Sequence, residues 1–372
     1  MTLNLLQNLL RYFLHRFSVS VPLFGMLLFF IGSFFSLGYS PQALAESKLE
    51  NPKAPHSSDE TLRIVTTVEP YRLIAKAALN EITPESRPLV EITTLITQPI
   101  SAHHFSLKPS QRIALKHANV VIVSRLANEP MLEKSLAKEN IAIIDVSTLN
   151  NLIRYPARNN HTHSLNAQSN AHSKENDRQT ISIEDTHYWF EPHNAELIGT
   201  HLLDLLQTKY PEKKSALSQA RTQFQQKMTQ QKKQWQHQLA SLQEQRFLMF
   251  HDAYQYLEKW IGLKNIYWLT ETDAHFIAPQ KWIQVEKIIQ NKGIDCIISS
   301  SEANEIFQKL QHKYNSTHKH KVPAVKGITL DDIARDYQYD LTDTPTPSPD
   351  HTYFDWIDWL VDTLLQCAPA QA

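Results

Sequence analysis

The chain has 372 residues, 37 Lys plus Arg against 38 Asp plus Glu, and 7 Gly, where an average glycine content of roughly 7% predicts about 26. The four glycines beyond residue 40 stand singly, which excludes the clustered phosphate loops of P-loop, Rossmann and kinase proteins, and a net charge of -1 gives no basic field for nucleic acid. The 18 His against 2 Cys make a transition-metal site the first hypothesis to test.

The first 45 residues have the pattern of a secretory signal peptide. Basic residues precede an uncharged apolar run over 17–39, and Ala43 and Ala45 stand where a signal peptidase cuts. The run is also long enough to span a bilayer, so an uncleaved membrane anchor is the alternative. The pattern predicts a signal peptide over 1–45, a polar tether over 46–60, and an exported protein with no membrane insertion after cleavage.

Residues 61–193 are predicted to form an N-terminal lobe in which short β-branched strands alternate with helices. The strands are predicted at 62–67, 90–96, 120–124 and 141–146, and the helices at 71–81 and 109–117. Strands separated by helices favour parallel βαβ units, and therefore an open α/β sheet.

A polar loop lies within this lobe, and a helical region follows the lobe. The segment 155–180 contains almost no apolar residues and is predicted to be a disordered loop. The region 194–244 is predicted to be helical, with one helix over 194–207 and a longer one over 212–242 that carries a narrow apolar stripe. The longer helix could run across two lobes, and a plain helical hairpin is the alternative.

Strands and helices alternate again over 245–372, which is predicted to be a C-terminal lobe. The strands are predicted at 247–250, 266–269, 296–299 and 322–328, and the helices at 251–262, 282–291, 303–313 and 353–366. The sequence therefore predicts an α/β fold of two open lobes joined through helices.

The two cysteines, Cys296 and Cys367, lie far apart in the exported part of the chain. In an oxidising compartment they most simply pair, and closing such a loop stabilises a fold by roughly 4 kcal/mol. Two free thiols or a thiolate metal site are the alternatives, although neither cysteine has a neighbour at zinc-ligand spacing.

Polar residues that follow predicted strands are the candidate ligands, because open α/β sheets bind ligands outside the carboxyl ends of their strands. His103 and His104 follow the second strand, and His187 lies just ahead of a helix. His251 follows FLMF, and Asp331 follows the last strand. Each histidine alone is better explained as a structural residue, but one from each of the three places plus a carboxylate makes a tetrahedral zinc set.

Three segments resemble the His-bearing motifs of periplasmic zinc-binding proteins of high-affinity ABC importers, in the metal-specific cluster A-I family. They are AHHFSLKPS (102–110), HYWFEP (187–192) and FHDAYQYLEKWIGL (250–263), and TLDD (329–332) resembles the family's later carboxylate motif. The resemblance implies two α/β lobes bridged by a rigid long helix, with the metal in the cleft between the lobes.

The resemblance also implies a set of site residues. The family's zinc ligands fall on His103, His187 and His251, with Asp331 as the fourth ligand and His104 as a spare ligand or a hydrogen-bond donor to one. A disulfide is implied between the two cysteines. The family's His- and acid-rich loop falls on 155–180, which is poor in both residue types here, so a plain flexible loop and a zinc-gathering loop remain alternatives.

The function implied is capture of Zn²⁺ at one tight site and its delivery to the membrane permease of an ABC transporter, by a monomer that is not an enzyme. Neutral nitrogen ligands with at most one carboxylate favour zinc over manganese, whereas Cu(II) competes on affinity. A secreted zinc hydrolase is the alternative from another class, although the chain has no HExxH motif. A metal-binding adhesin or buffer that feeds no permease is the third hypothesis.

Overall fold

The computed structural model describes residues 61–83, 86, 89–96, 107–136, 141–158, 184–270, 279–299, 304–317, 324–330, 332–334, 337 and 350–369. The chain divides into two units, Met1–Pro55 and His56–Ala372, and every described residue belongs to the second. The predicted signal peptide, the tether and most of the polar loop lie outside the described residues. Within the described residues, no helix is long and apolar enough to cross a membrane.

Four parallel strands form the first sheet, in the order β2-β1-β3-β4. They are β1 (Leu62–Thr66), β2 (Val90–Thr94), β3 (Val120–Val123) and β4 (Ala142–Asp145), and the helices of this lobe are α1 (Glu69–Asn80), α2 (Pro109–Lys116) and α3 (Pro130–Leu136). All four residues of β3 are apolar and buried, as expected for an inner strand covered on both faces. The four strands, α1 and α2 are predicted from the sequence, whereas α3, a short helix, is not.

Two helices that follow one another in the chain, α4 (Pro192–Lys209) and α5 (Lys214–Leu239), connect this sheet to the second one. The last residues of the predicted long helix form a separate 3-10 turn, Ala240–Leu242. Gly199 lets the two helices approach, because a Cβ at this position would lie 2.5 Å from the ring of Phe224. The apolar stripe of α5, which the sequence predicts, is buried against α4 and the other helices of the layer.

The second sheet repeats the topology of the first, with four parallel strands in the order β6-β5-β7-β8. They are β5 (Arg246–His251), β6 (Asn265–Thr270), β7 (Cys296–Ser299) and β8 (Lys326–Thr329), and the helices are α6 (Gln255–Ile261), α7 (Pro279–Lys292), α8 (Asn304–Thr317) and α9 (Tyr353–Leu365). The helix α6 ends at Gly262, whose left-handed backbone (φ 81°) is the usual helix C-terminal conformation for glycine.

The structure corrects the predicted start of α6. The sequence places His251 at the beginning of a helix, but His251 is the last residue of β5, where it pairs with Thr270 of β6. The helix begins only at Gln255. The buried apolar run before His251 keeps the strand paired for one more residue, so a short connection of 252–254 lies between the strand and the helix.

One apolar core extends from the first sheet through α1, α4, α5 and α9 to one face of the second sheet. Alternation along β5 divides its side chains: Phe247 and Met249 join this core, whereas Leu248 and Phe250 join a separate cluster on the other face. The last described helix, α9, packs against α5 and α1. Nε1 of Trp235 on α5 donates a 2.6 Å hydrogen bond to Asp358 on α9. Movement of the lobes relative to each other therefore has to deform a packed interior.

The predicted disulfide between Cys296 and Cys367 is confirmed. The two residues are separated by 71 positions, and their Cα atoms lie 5.6 Å apart. Cys296 begins β7 and Cys367 follows α9. The bond therefore fastens α9 to β7, an inner strand of the second sheet.

Replacing both cysteines by serine is expected to lower the free energy of unfolding by roughly 4 kcal/mol, because the unfolded chain loses its cross-link. Urea denaturation of the variant, compared with the wild type in the presence and absence of reductant, measures this. Reduced wild type should behave like the double variant, and an unchanged unfolding midpoint in both would contradict the structural role of the bond.

The entrance to β5 is fixed by an ion pair that generates a pH prediction. Asp295 accepts hydrogen bonds from Arg246 Nε (2.9 Å), Nη2 (2.7 Å) and backbone N (2.9 Å). Partial burial of Asp295 opposes ionisation, but Arg246 outweighs it and lowers the pKa of the carboxyl. Stability from this pair is therefore complete above the ordinary Asp pKa and is lost as the pH falls through the lowered one.

We expect Asp295→Asn to cost about 0.5–1 kcal/mol at pH 7, since solvent screens this partly exposed pair. The difference from wild type should be constant between pH 5 and 8 and shrink below about pH 4. Denaturant titrations at several pH values check this. The control is Asp204→Asn, because the Asp204 carboxylate, paired with Arg221, is more exposed (49%) than that of Asp295 (26%). A difference that grows on acidification would be the wrong sign.

Candidate metal site

The segments that follow the carboxyl ends of the two sheets meet and bring two predicted ligands together. His187 precedes the 3-10 turn Tyr188–Phe190 at the entrance to α4, and His251 ends β5. Their ring centroids lie 5.9 Å apart. In the second sheet the strand order reverses beside β5, which is the place where open α/β sheets bind ligands.

Asp332, which follows β8, faces both imidazoles. Its Oδ2 atom lies 3.7 Å from His187 Nε2 and 3.7 Å from His251 Nδ1. Two ligand atoms that are each about 2 Å from a tetrahedral zinc ion lie about 3.3 Å apart, so this spacing is close to that of a zinc-bound set. Two imidazole nitrogens and a carboxylate oxygen also have the chemistry that zinc prefers.

Asp185 sets the orientation of His187, a role that the sequence analysis does not assign. Its Oδ1 accepts hydrogen bonds from His187 Nδ1 (2.7 Å) and from the His187 backbone N (3.0 Å). With Nδ1 engaged, Nε2 is the nitrogen directed at Asp332. Carboxylates commonly fix metal-binding histidines in this way. The spacing Asp-x-His in DTH is the signal that could have found it.

Aromatic side chains hold the segment that carries Asp332. Trp189 Nε1 donates to the Asp332 carbonyl (2.8 Å), and the Trp189 ring meets His187 edge to face at 5.3 Å. The Tyr254 hydroxyl donates to the Leu330 carbonyl (2.9 Å) and Tyr353 donates to the Trp189 carbonyl (2.9 Å). Both lobes therefore contribute to the position of this carboxylate.

The charges around His187 act in opposite directions on its protonation. Burial disfavours the imidazolium, but Asp185 and Asp332 outweigh burial and raise the pKa of His187 to about 10. A proton on His187 thus balances the carboxylates when no metal ion does so. A divalent cation supplies the same compensation and has to displace that proton, because only neutral imidazole binds metal.

The other predicted ligands, His103, His104 and Asp331, lie outside the described residues. Among the residues that are described, no group of three or more His, Cys, Asp or Glu side chains is placed to hold a metal ion, so the 3.7 Å distances make Asp332 a neighbour of both histidines and do not by themselves form a three-ligand site. The structure therefore brings together His187 and His251 of the predicted set, and adds Asp332 as a neighbour of both. TLDD offers two adjacent aspartates, and sequence alone does not determine which one faces the histidines.

Comparisons with known proteins identify the family of the chain. Residues 64–367 match the family described as ZnuA, zinc-uptake complex component A, periplasmic. The high-affinity zinc uptake system protein ZnuA of Haemophilus ducreyi is 28% identical over 209 residues, which are 55% of this chain and 65% of that protein. The protein of the same name from Brucella abortus is 22% identical over 263 residues, 64% of this chain and 76% of the relative.

A solved structure gives the same fold. The crystal structure of ZnuA matches with a TM-score of 0.58 at 15% identity, covering 83% of this chain and all of that one. The two parallel sheets and this likeness confirm the predicted α/β architecture of two lobes with helices. The chain spans 65% of the length of the Haemophilus ducreyi relative. Because the family match covers most of its length, the chain belongs to the family of periplasmic zinc-uptake complex A components.

Proposed function

We propose that the protein captures Zn²⁺ in the periplasm and delivers it to the membrane permease of an ABC transporter. The observation that carries the proposal is the convergence of His187 and His251, from different lobes, on one carboxylate oxygen of Asp332. Membership of a zinc-uptake family supports zinc as the cargo. The protein is a solute-binding protein and not an enzyme, and the family favours neither the hydrolase nor the adhesin alternative.

The finer parts of the proposal come from the sequence. One tight zinc site is formed by His103, His187 and His251 with one of the two adjacent aspartates, and His104 is in reserve. A signal peptide over 1–45 directs export, and the mature chain acts as a monomer. Ligands drawn from both lobes couple zinc binding to the packing of the lobes, which suits capture and later release to a permease.

The ligand assignment predicts that one zinc ion binds per chain and that alanine at any predicted histidine ligand weakens it. His187→Ala and His251→Ala, together with His103→Ala, are each expected to raise the zinc Kd by about 100-fold or more, since removing even a neighbour of a ligand costs 10- to 100-fold. Competition titration with a chromophoric chelator measures this. The control is His237→Ala, an exposed position on α5, which should leave the Kd unchanged. Unaltered tight binding in all three ligand variants would refute the site.

A matched pair of substitutions identifies the carboxylate ligand. The position of Asp332 beside both histidines leads us to expect that Asp332→Asn weakens zinc binding by about tenfold or more and that Asp331→Asn has the smaller effect. Both variants remove one charge from adjacent positions of the chain, so long-range electrostatic effects are similar. The same competition titration compares them, and a larger loss in Asp331→Asn would assign the ligand to Asp331, as the family resemblance implies.

A further inference from the structure

Arg158 lies at the foot of the predicted polar loop, on a stem that leads directly to the metal site. Pro156 pairs with Glu184 in an antiparallel bridge, and Asp185 N donates to the Tyr155 carbonyl (3.0 Å). The segment that enters the loop, 155–158, and the segment that leaves it, 184–187, are thus joined; together we call them the stem. Residues 155–158, which composition alone assigns to the loop, make specific contacts in the fold.

The side chain of Arg158 reaches across to the other lobe. Its Nη2 donates to Glu258 Oε2 of α6 (2.6 Å), and its Nε lies 3.3 Å from Asp252 Oδ1. The guanidinium carbon lies 4.7 Å from the ring centroid of Trp268 on β6. We call these four residues the Arg158 clasp. Its three other members belong to the second lobe, where Trp268 lies on β6, Glu258 on α6 and Asp252 in the connection between β5 and α6, whereas Arg158 belongs to the stem of the first lobe.

The clasp surrounds the end of β5 that presents His251. Asp252 is the next residue in the chain, and Trp268 lies on the neighbouring strand, opposite Met249. The side chains of Asp252 and Glu258 are only 2% and 7% exposed, and that of Arg158 is 19% exposed. Burial raises the pKa of Glu258 to about 7, and Arg158 opposes that rise. The contacts of Arg158 with these two buried side chains therefore attach the turn after His251 to the stem.

The backbone beneath Arg158 is fixed to the same helix. Tyr256 of α6 accepts a hydrogen bond from Tyr155 N (3.1 Å) and donates one to the Asp185 carbonyl (2.9 Å). Gln255 Nε2 donates to the Pro156 carbonyl (3.0 Å). The stem that orients His187 through Asp185 and the turn that follows His251 are therefore joined by one set of contacts, to which Arg158 adds the charge.

We propose that Arg158 is a positioning residue for zinc, which fixes the turn after His251 relative to the stem that carries Asp185 and His187. The inference rests on the proposed function. Without Arg158, the contacts that fasten the turn to the stem are lost, so the turn moves relative to the stem. That movement displaces His251, which then no longer faces His187 at the distance a shared ion requires.

The test compares Arg158→Met, Arg158→Lys and Arg154→Met with the wild-type chain. The control is Arg154, which directly precedes the stem and whose contacts, Glu184 and the carbonyls of Ser147 and Leu149, lie within the first lobe. Zinc Kd is measured by chelator competition, and ligand geometry by the visible absorption of the Co²⁺-loaded protein. We expect Arg158→Met to raise the Kd at least tenfold and to alter the Co²⁺ bands. Arg158→Lys should recover most of both, and Arg154→Met should change neither by more than twofold.

A folded Arg158→Met protein with wild-type Kd and an unchanged Co²⁺ spectrum would overturn the proposal. If that variant does not fold, Arg158→Met is combined with Asp252→Asn and Glu258→Gln, so that the two carboxylates are neutralised together with the arginine that they face. We expect the folded triple variant to retain the altered Co²⁺ spectrum. A wild-type spectrum and Kd in this variant would equally overturn the role of Arg158.

A pair of loop deletions distinguishes the contribution of Arg158 to zinc binding from that of the rest of the loop. Removing 160–182 keeps Arg158, whereas removing 157–179 deletes it, and both leave connections of the same length between Pro156 and Glu184. We expect the first deletion to bind zinc like wild type and the second to match Arg158→Met. Equal Kd values for the two deletions would contradict the proposal. Failure of the wild-type chain to bind zinc would refute the proposed function instead, and is seen before any variant is compared.

Discussion

The interaction on which the site depends is the approach of two imidazoles, one from each lobe, to the same carboxylate oxygen. Asp185 and Asp332 place negative charge around His187 and raise its pKa to about 10. The arrangement is therefore electrostatically prepared for a cation. Because His187 and His251 belong to different lobes, whatever fixes the two lobes relative to each other also fixes the site.

The helical layer provides that fixed relation. α5 packs on α4, and α9 packs on α5 and α1, so the interior is continuous from the first sheet to the second. The disulfide between Cys296 and Cys367 fastens α9 to the second sheet. Close packing of this kind permits small adjustments of the lobes and opposes large ones, which suits a site that closes around an ion of atomic size.

The sequence predicts the fold well because the alternation of buried strands and amphipathic helices is a local pattern. Both sheets and the buried stripe of α5 follow from it. The predicted start of α6 is wrong because the pairing of His251 with Thr270 in the sheet is a tertiary contact, and it outweighs the local pattern. The helix α3 is missed because its few apolar residues give too short a pattern.

The candidate site is predicted in part for the same reason. His187 and His251 are found because each lies beside an element whose end is visible in the sequence. The parts played by Asp185, Asp332 and Arg158 depend on which way side chains turn in irregular segments and on contacts between distant segments. No periodic pattern marks such contacts. The Asp-x-His spacing in DTH could have pointed to Asp185, whereas the parts played by Asp332 and Arg158 emerge only from the folded structure.

The most direct test of the central claim is anomalous diffraction at the zinc absorption edge from crystals of the zinc-loaded protein. The account predicts a single strong peak within bonding distance of the imidazole nitrogens of both His187 and His251. A zinc peak bonded to neither histidine, or to residues of one lobe only, would contradict it.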